Sequence, residues 1–377
     1  MGGLHIGIAG AGLLGRLLAW RLASGGHRVE VFDPAPGPQP AQGRMTSGLG
    51  AHGSPDSGEP GEAAAFHHAA GFTAAGMLSP LAELECADAD VAALGWRSLE
   101  LWPQHVEALT AATGLPVHFA QRGSLLLAHP SDRGSAQRLL ALLAQRAAPT
   151  PPRTLDATWL KDEEPELARG LLGWLLDGEG QIHTVQAMAA LAAAGTLAGV
   201  QWHWGHAVEA VESGRLDDRR FDLAIDVRGT GAKPALPMRG VRGEVFWLHA
   251  PGLRLGRPAR LLHPRHRVYL VPRPGDLIVV GASEIESEDR SPVSLRTTVE
   301  LLAAAHSVLP ALAEARVVHS ESNLRPALPD NLPRVERAPG LLRINGLFRH
   351  GWLIAPALVE RALAGLQDLH PSEELAS

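Results

Sequence analysis

Residues 4–33, LHIGIAGAGLLGRLLAWRLASGGHRVEVFD, decide the fold predicted for the start of the chain. The apolar run from Leu4 to Ala9 predicts a short buried strand. Leucines at helical spacing follow, and they predict a helix that ends at Gly25 and Gly26. Residues 28–32 predict a second strand, which ends in an acid. The stretch therefore predicts a strand–helix–strand unit with glycines at its first turn.

The glycines of this turn have the spacing of a dinucleotide-binding loop. Gly10 permits the tight turn, and Gly12 lets the backbone approach a pyrophosphate at the helix N-terminus. Gly15 allows the helix to pack closely on the strand. Asp33 lies at the distance at which an acid accepts a hydrogen bond from a ribose 2′-hydroxyl. This pattern predicts dinucleotide binding, disfavours NADP, and leaves NAD and FAD open.

Composition limits the class of protein. The 377 residues suffice for one large or two medium domains. The net charge is −6, and no basic stripe with interleaved aromatics is present, which argues against a nucleic-acid partner. Cys86 is the only cysteine, so disulfides within the chain and cysteine-based metal sites are excluded. No apolar run reaches membrane-spanning length, so a cytoplasmic protein is expected.

Residues 36–64 are rich in Gly, Pro, Ala and Ser, and they predict a mobile surface insertion. His52, His67 and His68 have no carboxylate or cysteine at ligand spacing, so no metal site is predicted. Small residues then crowd the stretch AGFTAAGM at 70–77. They would let backbone amides approach a ligand, or they would form a tightly packed turn before a helix.

Consecutive short strands mark a second part of the chain. The stretches RGEVFWLHA, ARLLH, RVYLVPR and DLIVVGA, within residues 242–283, predict an antiparallel sheet and hence a second domain or lobe. In RVYLVPR, the alternation of side chains puts Val268 and Leu270 on one face and Tyr269 and Val271 on the other. The interpretation of Tyr269 that requires no function is an aromatic side chain that covers the exposed face of the sheet.

Two features near the C-terminus suggest a ligand. Arg325 stands between stiff proline turns in NLRPALPD, where it suits either a clamp on a carboxylate or a surface salt bridge. The predicted strand LLRIN ends at Gly346, and Gly351 begins the last helix. Arg349 and His350 stand at the mouth of that helix, which an ordinary core helix would not require.

Taken in order, these motifs resemble a known family. They are G-x-G-x-x-G with Asp33, AGFTAAGML, VRGEV, YLVPR with GDLIVVGA, LRPALPD, and GLFRHGWLIAP. The chain resembles the FAD-dependent amine and amino-acid oxidoreductases of the D-amino-acid oxidase superfamily, and it is most similar to the glycine oxidase branch. The resemblance covers nearly the whole chain outside 36–64.

The resemblance implies an α/β fold with two domains. A discontinuous Rossmann-like FAD-binding domain would comprise residues 1–90, 155–238 and 321–377. A substrate domain with a mainly antiparallel sheet would comprise residues 91–154 and 239–320. The chain departs from the family pattern in the long 34–70 loop and in DVRGTG at 226–231, where a more apolar strand end is expected.

The resemblance also implies the site residues. Arg325 and Tyr269 would hold a substrate carboxylate, and Arg349 would line the same site. The FAD is expected to be non-covalent, because relatives with covalent flavin use a cysteine near the L-R-P motif. The residues implied to bind FAD are Gly10, Gly12, Leu14, Gly15, Asp33, Ala75, Gly76, Met77, Val208, Gly229, Gly231, Gly346, Arg349, His350, Gly351, Trp352 and Leu353.

The implied reaction is oxidation of the amine carbon of glycine, sarcosine or a D-amino acid to an imine by hydride transfer to flavin N5. Oxygen or another acceptor would take the electrons, and no histidine or carboxylate would be an essential base. The helix that begins at Gly351 would face the flavin pyrimidine edge. The alternatives are a flavin dehydrogenase, an oxidase of another amine such as a glycine-like group on tRNA, an NAD-dependent dehydrogenase, and a non-catalytic flavoprotein subunit.

Overall fold

A computed structural model gives the fold and describes residues 3–40, 68–84, 89–146, 151–262 and 267–366. The predicted insertion lies outside the described residues from position 41 onward, and so do His52, His67 and Cys86. The described strands are β1 His5–Ala9, β2 Arg28–Asp33, β3 Met77–Leu78, β4 Phe119–Ala120, β5 Ser124–Ala128, β6 Arg153–Leu155, β7 Leu172–Leu176, β8 Gly180–Ile182, β9 Gln201–Trp204, β10 Val211–Glu212, β11 Arg215–Leu216, β12 Arg219–Arg220, β13 Leu223–Asp226, β14 Arg239–His249, β15 Ala259–Leu262, β16 Arg267–Arg273, β17 Leu277–Gly281, β18 Arg316–Ala327, β19 Arg334–Ala338 and β20 Leu341–Asn345. The described helices are α1 Leu13–Ser24, α2 Ala70–Thr73, α3 Pro80–Glu83, α4 Ala89–Thr113, α5 Arg133–Gln145, α6 Ala157–Glu163, α7 Thr184–Leu197, α8 Leu295–Val308 and α9 Gly351–Leu363.

A six-stranded sheet, in the order β19-β20-β13-β1-β2-β9, contains the N-terminal unit. Its strands are parallel except for β19, which runs antiparallel to β20. Ile6 and Ile8 of β1 are fully buried at its centre, and Leu17 and Leu18 of α1 are buried in the same core. Because β1, β2 and β13 are parallel, their carboxyl ends meet at one edge, where a ligand is expected. The predicted strand–helix–strand unit is confirmed.

An eight-stranded sheet forms the second layer, in the order β18-β14-β17-β16-β15-β5-β7-β6. Its pairs are antiparallel except for β15 with β5. Val268 and Leu270 pack into the core on the α8 side, whereas Val271 packs into the core that contains α1 and α9. The predicted alternation of β16 is therefore confirmed. The mixed α/β fold with a mainly antiparallel second sheet is also confirmed.

The predicted domain boundaries stay a prediction, but sheet membership bears on two of them. Strand β7 hydrogen bonds within the eight-stranded sheet, as does Leu155 at the end of β6, although 155–238 was assigned to the FAD-binding domain. Strand β18 pairs with β14 along its whole length to Ala327, past the predicted boundary at 321. These pairings favour moving the first boundary beyond residue 176 and the second beyond residue 327.

The eight-stranded sheet has a different neighbour on each face. Its near face, which carries Val245, Trp247 and Val279, packs toward α1, α7 and α9 of the FAD-binding part. Its far face packs against α8. Side chains of the near face therefore lie between the two sheets, and this is where the site forms. Among the helices that the structure describes, none is both long and apolar enough to cross a membrane.

Candidate active site

A cavity of about 540 Å³ lies between the carboxyl edge of the six-stranded sheet and the near face of the eight-stranded sheet. Gly10 and Asp33 line it from the first sheet, and Tyr269 and Arg325 line it from the second. The residues predicted for the cofactor and for the substrate therefore share one cavity, although hundreds of positions in the sequence separate them.

The glycine turn has the geometry that its spacing predicts. Gly10 has a φ of +105°, and a Cβ there would lie 2.7 Å from the Val227 carbonyl oxygen. A Cβ at Gly15 would lie 1.8 Å from the Gly10 carbonyl oxygen, so Gly15 serves helix packing and does not line the cavity. Gly12 lines the cavity, and the nearest atom to a Cβ there is Ala69 Cβ at 3.7 Å. Among the described residues no side chain caps α1, so its first amides are available to an anion.

Asp33 is held at the end of β2 by two backbone amides. Its Oδ2 accepts a hydrogen bond from Ala11 N at 2.6 Å, and its Oδ1 accepts one from Ala35 N at 2.8 Å. The carboxylate lines the cavity beside the glycine turn. The ribose-binding role assigned to it from the sequence stays a prediction, and its position fits that role.

The mouth of α9 also opens into the cavity. Gly351 begins the helix, and the nearest atom to a Cβ there is Leu347 Cδ2 at 4.0 Å. Gly346 has a φ of +81° and packs against Leu328. In the part of the chain that the structure describes, no side chain caps the helix, and Trp352 Nε1 donates to the Gly71 carbonyl oxygen at 2.9 Å. The first turn of α9 is therefore open to a ligand.

Most of the residues predicted to bind FAD line this cavity. His350 does not line it, and it is buried with its ring toward Glu83. Two uncapped helix N-termini open into one cavity, and glycines at both leave space that a side chain would fill. This arrangement fits a dinucleotide with a flat ring system. The other predicted residues that line it are Leu14, Ala75, Gly76, Met77, Val208, Gly229, Gly231, Gly346, Trp352 and Leu353.

Two strand glycines that were not predicted from the sequence as site residues make room for the predicted substrate residues. A Cβ at Gly281 would lie 2.6 Å from Tyr269 Oη, across the β16–β17 pair. A Cβ at Gly243 would lie 2.6 Å from Arg325 Nη2. Glycine inside a strand is the sequence signal for such close approach, and the motifs VRGEV and IVVGA contain it. Tyr269 therefore lies between the sheets instead of covering an exposed face.

Arg325 keeps its charge beside uncharged partners. Nη1 donates to the Arg242 carbonyl oxygen at 3.3 Å, and Nη2 donates to the Ser283 carbonyl oxygen at 2.9 Å. Burial lowers the pKa of Arg325, and Tyr269 opposes that shift. Burial raises the pKa of Tyr269, so its hydroxyl is a protonated donor at neutral pH. The pair offers an anion one cationic fork and one hydroxyl.

Arg349 lines the same cavity but is held by carboxylates. Nη2 lies 2.8 Å from Glu83 Oε2, and Nη1 lies 3.3 Å from Glu284 Oε2. The ring of His350 approaches Glu83 as well, with Nδ1 3.3 Å from Oε2. Burial raises the pKa of Glu83, but His350, Arg349 and Arg260 together hold it well below its usual range. Glu83 was not predicted from the sequence, because a lone glutamate in a short helix carries no distinguishing pattern.

The polar strand end DVRGTG has a structural cause. Arg228 Nη2 lies 2.9 Å from Asp226 Oδ2, and Nη1 donates to the Val208 carbonyl oxygen at 2.7 Å. Asn345 Oδ1 accepts from Gly229 N at 2.9 Å and links this turn to β20. A buried ion pair thus holds the β13 turn at the cavity wall, where the family pattern predicts apolar packing.

Comparison with known proteins identifies the family. The family described as "DAO: FAD dependent oxidoreductase" matches residues 5–362. The chain belongs to this family. It is 35% identical over 362 residues to a Rhizobium etli protein named as the thiamine biosynthesis oxidoreductase ThiO. The match covers 94% of each chain. It is 25% identical over 371 residues to a glycine oxidase of Geobacillus kaustophilus, covering 93% of this chain and 89% of that one.

A solved structure shows the same fold. The crystal structure of glycine oxidase from Geobacillus kaustophilus matches with a TM-score of 0.78 and 24% identity, covering 99% of this chain and 96% of that one. As a DAO-family member, the protein is an FAD-dependent oxidoreductase. The predicted family, enzyme class and cofactor are thus confirmed, and the choice between NAD and FAD is decided for FAD.

Proposed function

We propose that this DAO-family protein oxidises the amine carbon of a small amino acid to an imine. Proteins named glycine oxidase are among its relatives. The observation that supports the proposal most directly is the pairing of Arg325 with Tyr269 on the near face of the eight-stranded sheet. Both side chains line the cavity into which α9 opens. The similarity to ThiO and to glycine oxidase supports the same substrate class.

The residues of this chain would act by binding and orienting the substrate. The Arg325 fork and the Tyr269 hydroxyl would hold the substrate carboxylate, which fixes the amine carbon in one pose. The first turn of α9 would direct its amides and its dipole at the negative charge that develops on the cofactor. Bound FAD supplies the two-electron acceptor that takes the hydride.

Proton transfer needs no base from the protein in this proposal. The Cα–H bond of the neutral amine breaks with both electrons leaving as hydride. The nitrogen lone pair then forms the C=N bond, and water accepts the nitrogen proton and hydrolyses the imine. Two glutamates that line the cavity support this interpretation, because Glu83 is ion-paired with Arg349, and Glu284 lies 3.3 Å from the same arginine.

Anaerobic reduction of the flavin tests the proposal. Glycine, sarcosine or a D-amino acid should bleach the flavin of the purified protein. Arg325→Met should weaken substrate binding at least about tenfold with the FAD content unchanged, because a charged hydrogen-bonding partner is lost. Arg296→Gln, on the exposed face of α8, is the matched control. Unchanged substrate affinity in Arg325→Met would refute the clamp.

The electron acceptor requires a separate measurement. We propose oxygen, and stoichiometric peroxide formation in air would distinguish an oxidase from a dehydrogenase. If no amine in the panel bleaches the flavin, the non-catalytic flavoprotein alternative replaces amine oxidation.

A further inference from the structure

Five arginines of the described residues line the cavity, and they differ in their partners. Three have a carboxylate oxygen within 2.8–3.9 Å. For the other two, Arg325 and Arg290, no described residue offers a carboxylate within 4.0 Å, and the hydrogen bonds of both go to uncharged oxygens. The five are Arg228, Arg260, Arg290, Arg325 and Arg349.

Arg290 is half-buried and rests on a rigid amide. Its Nη1 lies 3.4 Å from Asn323 Oδ1, and that oxygen also accepts from Leu324 N at 2.8 Å. Asn323 Nδ2 donates to Thr73 Oγ1 at 2.9 Å and to the His68 carbonyl oxygen at 3.0 Å. The amide of Asn323 is therefore fixed on both sides, and the guanidinium beside it lines the cavity.

The side chains of Arg290 and Arg325 make their contacts on the same face of the eight-stranded sheet. Asn323 and Arg325 are two residues apart on β18, so their side chains point to one side. Gly243 pairs with Asn323 across the strands, and the Arg325 guanidinium lies against Gly243. Paired residues of adjacent antiparallel strands lie roughly 5 Å apart. The contact of Arg290 with Asn323 and the contact of Arg325 with Gly243 thus lie on paired residues at the same face of the sheet.

A partly buried cation without an anion is unfavourable, because desolvation is not compensated. Burial lowers the pKa of Arg290, with the charge of Glu288 opposing it. Glu288 itself is ion-paired with Lys233 and accepts from Gly240 N. In the proposed function Arg325 binds one carboxylate, and nothing in that function uses Arg290.

We propose that Arg290 binds a second acid group, so that the substrate class of this site is an amino acid with two carboxylates. The inference rests on the proposed function in that Arg325 takes the first carboxylate. The charged side chains support it: of the described residues that line the cavity outside β2 and the β13 turn, four arginines and two glutamates leave an excess of two positive charges. A monocarboxylate would balance one of these, and a dicarboxylate would balance both. The six residues are Arg260, Arg290, Arg325, Arg349, Glu83 and Glu284.

Binding of compounds that cannot be oxidised tests the proposal without any turnover. Malonate and acetate are titrated calorimetrically into the FAD-loaded protein. Malonate should bind the wild type at least about tenfold more tightly than acetate, from one additional charged hydrogen-bonded contact. Arg290→Gln should remove that difference, and the exposed control Arg296→Gln should keep it. Equal affinities in the wild type, or equal weakening of both anions by Arg290→Gln, would overturn the proposal.

Turnover supplies an independent readout. Iminodiacetate and sarcosine share a secondary amine and differ in one carboxylate. Arg290→Gln should lower kcat/KM for iminodiacetate about tenfold to a hundredfold and leave sarcosine within about twofold. An equal loss for both would contradict the assignment. If neither compound nor glycine bleaches the flavin, the proposed function fails, and the malonate titration still decides the role of Arg290.

Discussion

At the scale of single residues, the position of the Arg325 guanidinium depends on the missing side chain of Gly243. A Cβ there would lie 2.6 Å from Nη2, and the far end of the flexible arginine would have to move. We therefore expect Gly243→Ala to fold normally but to raise the substrate KM about tenfold to a hundredfold, because the clamp is misplaced. Gly134→Ala, at an exposed position on α5, is the control. Wild-type KM in Gly243→Ala would show that Arg325 tolerates the shift.

The role of Glu83 in stability can be tested by a single substitution. It is the buried carboxylate that Arg349 and His350 share. Glu83→Gln should lower the free energy of unfolding by about 3 kcal/mol at pH 7, because it removes the buried negative charge that these two side chains share. Glu360→Gln, in an exposed pair with Arg97, should cost about 1 kcal/mol or less. Denaturant unfolding of both variants measures the difference, and equal losses would contradict the buried role.

The stabilisation that Glu83 provides should also depend on pH, and the direction of its pKa shift gives the sign of this dependence. The pKa of Glu83 is held below its unfolded value, so its stabilisation is present above about pH 4.5. As pH falls below that value, the unfolded chain takes up the proton first and stability is lost. The wild type should therefore lose stability relative to Glu83→Gln on acidification from about pH 5 downward.

At the scale of elements, the starts of α1 and α9 form the predicted cofactor site. Gly351→Ala places a methyl group in the cavity without meeting protein atoms, since the nearest atom to its Cβ is 4.0 Å away. We expect the thermal unfolding temperature of the apoprotein to stay within about 2 °C of wild type. The Kd for FAD should rise at least about tenfold, because the added atoms occupy the ligand's space. Flavin fluorescence titration measures it, and a wild-type Kd would show that α9 does not approach the ring.

Gly15→Ala, in the first turn of α1, should affect folding instead of FAD binding. Its Cβ would lie 1.8 Å from a backbone oxygen, which cannot rotate away. The fold of α1 on β1 should be disrupted, and the apoprotein itself should lose thermal stability. A stable Gly15→Ala apoprotein that only fails to bind FAD would reverse the packing and binding roles assigned to these glycines.

How much of the fold and of the site could be predicted from the sequence depends on whether a feature is encoded in one short stretch or arises from contacts between distant segments. The glycine turn and the alternation of β16 are local patterns, and both were confirmed. The addition of β6 and β7 to the eight-stranded sheet depends on pairing with β5, which leaves no local signature. Arg349 was expected to line the substrate site, and it lines the cavity, but Glu83, the glutamate that holds it, is 266 positions away. Partners at such distances become visible only when the chain is folded.

At the scale of the whole molecule, Glu179 joins segments that come from different parts of the chain. Its Oε1 accepts from Leu81 N at 2.9 Å, and its Oε2 accepts from the hydroxyls of Ser79 and Ser124. Ser124 begins β5 of the eight-stranded sheet, and Ser79 lines the cavity. Burial raises the pKa of Glu179 to about 7, against the opposing effect of these hydrogen bonds and of Arg260.

The raised pKa of Glu179 makes global stability depend on pH in the direction opposite to Glu83. Between about pH 4.5 and 7 the folded protein keeps this proton while the unfolded chain releases it, so stability falls as pH rises through that window. The fall attributable to Glu179 is about 3 kcal/mol, and it levels off above pH 7. Urea unfolding at pH 5 and pH 8 should show this loss in the wild type and in the exposed control Glu107→Gln. Glu179→Gln cannot ionise, so its stability should change by about 3 kcal/mol less between the two pH values. The same pH slope in all three proteins would mean that Glu179 is already ionised in the folded state.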